Sequence, residues 1–332
     1  MVNSYSQQSK TVSLPPMITK GKVLKSTGKW YNVLEQDGEM IVCRLRGKIR
    51  MSGLKTTNPV AVGDEVILSP ERDDENRGVI LDVEPRRNYI VRKSTNLSKQ
   101  MQILAANVNR AYLMVTIHSP NTHLAFIDRF LVSAESFRIP CSLLFNKIDQ
   151  YNEKDLVKID EIIKKYEVIG YPCHKISTFD EASVNFLKAE IKGKQVMIGG
   201  HSGVGKSSLI NAIDTELSAR IGEISKAHAQ GQHTTTFAEM FPLTSGGFIV
   251  DTPGIRAFGI IDLEKEHIGH YFPEMRERME NCKFNNCQHI NEPKCAVKEA
   301  VEKGEIAESR YESYWVMLHE DASENYRKNI YG

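Results

Sequence analysis

The stretch Gly200-His201-Ser202-Gly203-Val204-Gly205-Lys206-Ser207 constrains the fold of this chain more than any other feature. It fits the pattern G-x4-G-K-S and stands between an apolar run at 195–198 and a segment of helical spacing that begins near Lys206. Glycines there let successive backbone N–H groups turn inward, and the helix adds the positive end of its dipole, so the loop is built to cradle phosphate oxygens. Lys206 is expected to reach the β/γ-phosphates of a nucleotide, and Ser207 to bind Mg²⁺. Such a loop belongs at the carboxyl end of a strand in a parallel sheet.

The flanking sequence supplies that sheet. Segments 108–117, 141–145, 172–176 and 195–198 read as strands, and they alternate with helical segments 124–137, 155–166 and 181–191, which predicts helices on both faces. Asp251-Thr252-Pro253-Gly254 follows the apolar run 248–250, so Asp251 emerges at a strand end, where it would hold Mg²⁺ through water while the Gly254 N–H meets the γ-phosphate. An ordinary strand-to-loop turn is the plain alternative for those four residues. Asn146-Lys147-Ile148-Asp149 also follows an apolar strand. Guanine presents N1–H and a 2-amino group side by side, and a carboxylate such as Asp149 accepts from both. Adenine would leave that carboxylate unpaired, at a cost of ~1–3 kcal/mol. Ser177 and Thr178, after the next strand, are placed to support the base through backbone N–H groups. The competing reading of Asn146 is a helix N-cap. The base-reading motif precedes the phosphate loop, whereas most GTPases have the reverse order. A circular permutation reconciles the two, because domain termini are often close enough to be joined and reopened elsewhere.

Residues 20–93 read instead as short strands broken by turns. Asp37-Gly38 between the apolar runs 30–34 and 40–45 is a hairpin signal. Ile41, Cys43 and Leu45 share one parity, and Arg44, Arg46, Lys48 and Arg50 share the other, so a strand persisting through Gly47 would carry a cationic face suited to RNA phosphates. A small closed barrel of the oligonucleotide-binding kind is expected, since an open sheet this short would expose its edges. Past residue 260 the pattern turns helical. Cys282-x4-Cys287-x-His289-x5-Cys295 offers three thiolates and one imidazole, a closed set for one structural Zn²⁺. Tyr311, Tyr314, Trp315 and Leu318 lie at helical spacing and read as packing.

The 332 residues are enough for two or three compact units. The expected division is a flexible tail over 1–18, a barrel over 19–96, a permuted GTPase domain over 97–265 and a zinc-binding helical domain over 266–332. Hydrophobic and charged fractions of 41% and 26% and a formal charge of +1 describe an ordinary globular chain. No apolar run is long enough for a bilayer, and the first residues lack the core of a secretory signal. A soluble, cytoplasmic protein with no membrane partner is expected.

Together these motifs resemble the circularly permuted GTPases that assist small ribosomal subunit maturation, the RsgA (YjeQ) family, over nearly the whole chain after the tail. The resemblance implies GTP hydrolysis coupled to release from the small subunit and contacts to ribosomal RNA from the barrel and the zinc domain; separately, a monomer is expected. It also implies that Asn146, Lys147 and Asp149 read the base, that Gly200 to Ser208 hold phosphate, and that Cys282, Cys287, His289 and Cys295 bind zinc. Gly231-Gln232-His233-Thr234-Thr235-Thr236 looks like the family's first switch, with Gln232 where a basic residue is more usual. The place just after Gly254, where many GTPases carry a water-orienting Gln, holds Ile255. His233 is therefore the candidate catalytic group beside Lys206, and Thr235 a candidate Mg²⁺ ligand. Two other readings fit the same motifs: an RNA-binding assembly scaffold with a regulatory GTP site, and a GTPase acting on the large subunit.

Overall fold

The computed structural model describes residues 18–47, 58–70, 76–93, 101–217, 238–251 and 263–320. The expected tail up to residue 17, Lys48 and Arg50, the segment 231–236 with His233 and Thr235, and Gly254 with Ile255 lie outside the described residues.

Strands β1 (Thr19–Ser26), β2 (Tyr31–Glu35), β3 (Met40–Leu45), β4 (Glu65–Pro70) and β5 (Arg77–Val83) pair in the order β1-β2-β3-β5-β4, and β4 pairs back onto β1. The barrel is therefore closed, and all its pairs are antiparallel except β3 with β5. Alternation fills it: Val23, Val33, Ile41, Cys43, Val66, Leu68 and Ile80 point inward and are buried. The hairpin at Asp37-Gly38 forms, with the Glu35 amide donating to the Glu39 carbonyl at 2.9 Å. β3 ends at Leu45. The Arg46 amide still bonds the Ile80 carbonyl at 3.0 Å, but Gly47 turns away with φ +62°, so the alternation that set Arg44 and Arg46 outward is not continued by the strand.

β6 (Tyr89–Lys93) and β7 (Met101–Ala106) make a separate antiparallel ribbon rather than joining the barrel. The second sheet has the order β10 (Cys173–Lys175), β9 (Cys141–Phe145), β8 (Arg110–Val115), β11 (Gln195–Gly199), β13 (Phe248–Asp251), β12 (Glu239–Pro242). All are parallel except β12, which is antiparallel to β13 and meets barrel strand β1 at Lys25 and Glu239. Leu113, Val115, Leu143 and Met197 pack with Ile127, Phe130, Leu131 and Ile159 of α1 (Leu124–Ser136) and α2 (Glu153–Glu167). Tyr112, Met114, Leu144 and Val196 pack on the other face with Val184, Leu187, Leu209 and Ile213 of α3 (Glu181–Ile191) and α4 (Lys206–Ile213). Helices thus cover both faces. The chain runs outward from β8 through β9 to β10, then returns to β11 on the other side of β8. That reversal makes a topological switch point at the carboxyl ends of β8 and β11, the place where ligands of such sheets collect.

The last described region consists of short helical pieces ending in the helix Glu308–His319. It packs on α1: Val132 joins a cluster with Ile268, Phe272, Met275, Val297, Tyr314 and Leu318. Between them lies a buried ion network. Arg310 Nη1 donates to Asp128 Oδ1 at 2.8 Å and its Nε to Glu274 Oε1 at 2.7 Å, while Tyr166 and Ser313 hydroxyls also donate to Asp128. Of the aromatic stripe, Tyr314 and Leu318 are buried, but Trp315 is 46% exposed and stacks on His319. One residue past Tyr314, it lies about 100° around the helix, off the packed face.

Candidate functional site

The phosphate loop joins β11 to α4. Gly205, the residue before the helix, has φ +104°, and a Cβ there would overlap Asn146 Nδ2. Glycine is thus required both by backbone conformation and by space. Val204 is buried, while Ser202, Gly203, Ser207 and Ser208 are exposed in the loop and first helical turn. Lys206 Nζ donates to the carbonyls of Gly200, at 2.7 Å, and His201, which holds the ammonium across the loop. His201 stacks on Phe126 of α1, ring centroids 3.8 Å apart. Burial, then the Lys206 ammonium and His123, hold its imidazole below the ordinary histidine value, so a neutral ring meets a neutral ring near pH 7.

The residues expected to read the base lie at the ends of the neighbouring strands β9 and β10. Asn146, at the end of β9, is buried, and its Nδ2 donates to the Val204 carbonyl at 2.8 Å, binding the two loops together. Asn146 Oδ1 is buried without a partner, an acceptor at the site that fits a ligand donor. Lys147 has φ +66°, and its Nζ reaches the Ser119 carbonyl at 2.7 Å, stretching its stem toward the loop after β8. Asp149 is exposed. The Ser177 amide is occupied by Ser183 Oγ at 3.3 Å, whereas the Thr178 amide has no partner among the described residues. Of the two backbone donors expected to support the base, Thr178 is therefore the one with a hydrogen to give. Asp251 is exposed at the end of β13, a strand neighbouring β11.

In the last region, the ligand atoms of Cys282, Cys287, His289 and Cys295 lie within 4.8 Å of one another. His289 Nδ1 faces the thiols, 3.3 Å from Cys295 Sγ and 3.6 Å from Cys282 Sγ. A tetrahedron with Zn–S and Zn–N bonds of about 2.3 and 2.0 Å has edges of roughly 3.5 Å, so the donor set fits that metal. Burial pushes the Cys287 thiol up to about 12 and lowers His289, both consequences of taking charge out of water. The sequence reading missed what holds these turns. Tyr311 and Tyr314 hydroxyls donate to the carbonyls of His289 and Gln288 at 2.6 and 2.7 Å. Glu292 accepts from the amides of Gln288, Ile290 and Asn291. The aromatic spacing was visible, but only the fold shows that its hydroxyls brace the cluster.

On the barrel, Arg44 and Arg46 are exposed, and the parity of β3 adds Met40 and Val42, 42% and 39% exposed, to the same face. Trp30 is also exposed, with the Arg77 guanidinium 5.6 Å from its ring centroid. The face is mixed apolar and cationic rather than purely cationic.

A closed barrel, a parallel sheet with the base-reading loop before the phosphate loop, and a Cys3His cluster define a circularly permuted phosphate-loop GTPase. Residues 83–261 match the model of the RsgA GTPase and residues 20–80 that of the RsgA N-terminal domain. The chain is 50% identical to the small ribosomal subunit biogenesis GTPase RsgA of Bacteroides fragilis, covering 93% of this chain and 99% of that one. It is also 50% identical to the protein of that name from Christiangramia forsetii, covering 94% and 99%. Among solved structures, YjeQ from Thermotoga maritima superposes with TM-score 0.76 and 38% identity, covering 93% of this chain and all of that one. YloQ, described as a circularly permuted GTPase, gives 0.71 and 31%, with 94% and 96% covered. This chain belongs to the RsgA GTPase family, and it is a hydrolase acting on GTP.

Proposed function

We propose that this GTPase serves late maturation of the small ribosomal subunit, binding its ribosomal RNA and coupling GTP hydrolysis to release. The observation that carries this reading is the joining of the guanine-reading and phosphate loops through Asn146 and Val204, in a chain whose curated relatives of matching length are named for that subunit. Asp149 would accept from the guanine edge, Thr178 would donate to it, and Lys147 would lie along the base. Gly200 to Ser208 would hold the phosphates, with Lys206 neutralising charge that develops on the transferred group. Mg²⁺ would be held by Ser207, by Asp251 through water and by Thr235, with Gly254 donating to the γ-phosphate. It supplies charge neutralisation at the phosphates when bound. His233 is the proposed water-orienting residue. One structural Zn²⁺ would sit among Cys282, Cys287, His289 and Cys295. The division into a tail to 18, a barrel to 96, a GTPase domain to 265 and a zinc domain beyond accompanies this reading. So do a monomeric state, a cytoplasmic location and RNA contacts from Arg44, Arg46, Lys48 and Arg50, to which Trp30 would add a stacking surface. No helix among the described residues is long and apolar enough to cross a membrane.

GTP turnover of the full chain, measured alone and with purified small or large subunits, tests the proposal. Slow intrinsic turnover accelerated by the small subunit alone is expected. Equal stimulation by both, or by the large one, would redirect it. His233→Ala should keep GTP affinity and lose most of the stimulated rate. The parental stimulated rate in that variant would remove His233 from the reaction.

A further inference from the structure

Phe179 is 82% exposed, the most exposed large hydrophobic side chain among the described residues. Isolated exposed apolar residues are ordinary, but this one is placed and held. It follows Thr178, whose amide has no partner among the described residues, in the loop between β10 and α3. β10 pairs in parallel with β9, Lys175 opposite Phe145, so the loops leaving these two strands emerge side by side at one end of the sheet. The Ile148 amide bonds the Ile176 carbonyl, tying the loop of Asp149 to the loop of Phe179. The backbone at Phe179 is fixed as well. Its own amide donates to Ser177 Oγ at 3.2 Å, the Asp180 amide donates to the Ser177 carbonyl, and Asp180 caps α3 through the Ser183 amide. The turn thus presents a ring to water beside an amide with no partner among the described residues, in the loop tied to that of Asp149.

We propose that Phe179 forms a wall of the base pocket and stacks on the guanine of bound GTP or GDP, with the stretched stem of Lys147 along the opposite face. The proposal rests on the reading of Asn146–Asp149 as the guanine site. Its chemistry is distinct from edge recognition. An aromatic face attracts any purine face and adds affinity, whereas Asp149 selects guanine among purines. The ring's exposure is then a property of the open pocket, covered by the base when nucleotide binds.

The test is titration of the full-length chain with GDP and GTP in Phe179→Ala, Phe179→Leu and Phe179→Trp variants, beside Asp149→Asn. Phe179→Ala should weaken GDP and GTP equally, by roughly 5- to 100-fold, the range of one base–aromatic stack. Its guanine-over-adenine ratio should hold, and so should the melting temperature without nucleotide, since an exposed ring supports no core. Phe179→Leu should fall between Ala and parent. Phe179→Trp should bind like the parent, with indole emission quenched by GDP and not by inorganic phosphate. Parental affinity in Phe179→Ala, with Asp149→Asn impaired, would overturn the stack while leaving the guanine site standing. The same parental affinity together with lost binding to the small subunit would assign the ring to the partner surface and also overturn it. Parental guanine binding in both Asp149→Asn and Phe179→Ala would overturn the site and the stack together.

Discussion

At the residue scale, the proposed nucleotide choice rests on a single carboxylate. Asp149 stands exposed after β9, and two adjacent guanine donors would satisfy both of its oxygens. Replacing it with Asn puts an N–H where an acceptor was needed, so one guanine donor loses its partner and meets another donor. GTP affinity of Asp149→Asn should fall at least about tenfold, equivalent to ~1.4 kcal/mol. Xanthosine triphosphate, whose 2-oxo group accepts from the new amide, should gain. Competition titration with the two nucleotides checks this, and an unaltered preference for GTP would remove Asp149 from base reading. Asn146 plays a different part. Its Nδ2 is already committed to the Val204 carbonyl, so it sets the spacing between base and phosphate loops.

At the scale of elements, the Cys282–Cys295 turns show how little secondary structure is needed to bring four metal-donor side chains together. His289 and Lys294 both have φ +57°, conformations that a side-chain-bearing residue adopts only when its surroundings hold it. Glu292 and the Tyr311 and Tyr314 hydroxyls supply part of that hold, and a metal would supply the rest. Reduced protein should contain about one zinc per chain by elemental analysis. Cys287→Ser should lose it and loosen the last region before the parallel sheet unfolds, as followed by hydrogen exchange. Because burial pushes the Cys287 and Cys295 thiols up, binding must expel protons. Zinc affinity should therefore fall as pH is lowered from 8 to 6, in competition with a chromophoric chelator. Protein free of zinc under reducing conditions would defeat the assignment.

The whole molecule is organised around α1. Phe126 stacks on His201 of the phosphate loop, and Phe130 lies where a Cβ on Gly199 would fall. On the side facing the last region, Asp128 joins Arg310, and Arg129 makes a two-point ion pair with Glu320 at 2.7 and 2.6 Å. Arg310 is the central cation. Burial alone would lower its pKa, but the Asp128 and Glu274 carboxylates more than offset that and raise it. Arg310→Ala would leave two buried carboxylates without their counter-charge, at a cost of about 3–5 kcal/mol. Urea unfolding should show that loss, with the last region becoming susceptible to protease while the barrel stays resistant. Unfolding indistinguishable from the parent would mean that the network contributes nothing to docking.

The sequence by itself determined the parts whose cause is local. The phosphate loop and the base-reading loop were legible because a few consecutive residues fix their backbone. Strand 141–145 and helix 181–191 were legible in their bounds, because apolar period and turn chemistry agreed there. The Cys3His set was legible because metal donors are few in kind. What tertiary structure alone decided depended on residues far apart in the chain. The Arg310 to Asp128 pair spans 182 positions, and nothing in either neighbourhood marks its partner. The strand order by which the barrel closes, the addition of β12 to β1 and the extent of β3 were fixed by pairing, which a single strand's pattern does not specify. That the Ser177 amide is taken up within the protein turned on one hydroxyl from α3. Local patterns set backbone shape, whereas occupancy of hydrogen bonds and burial of charge depend on which surfaces meet.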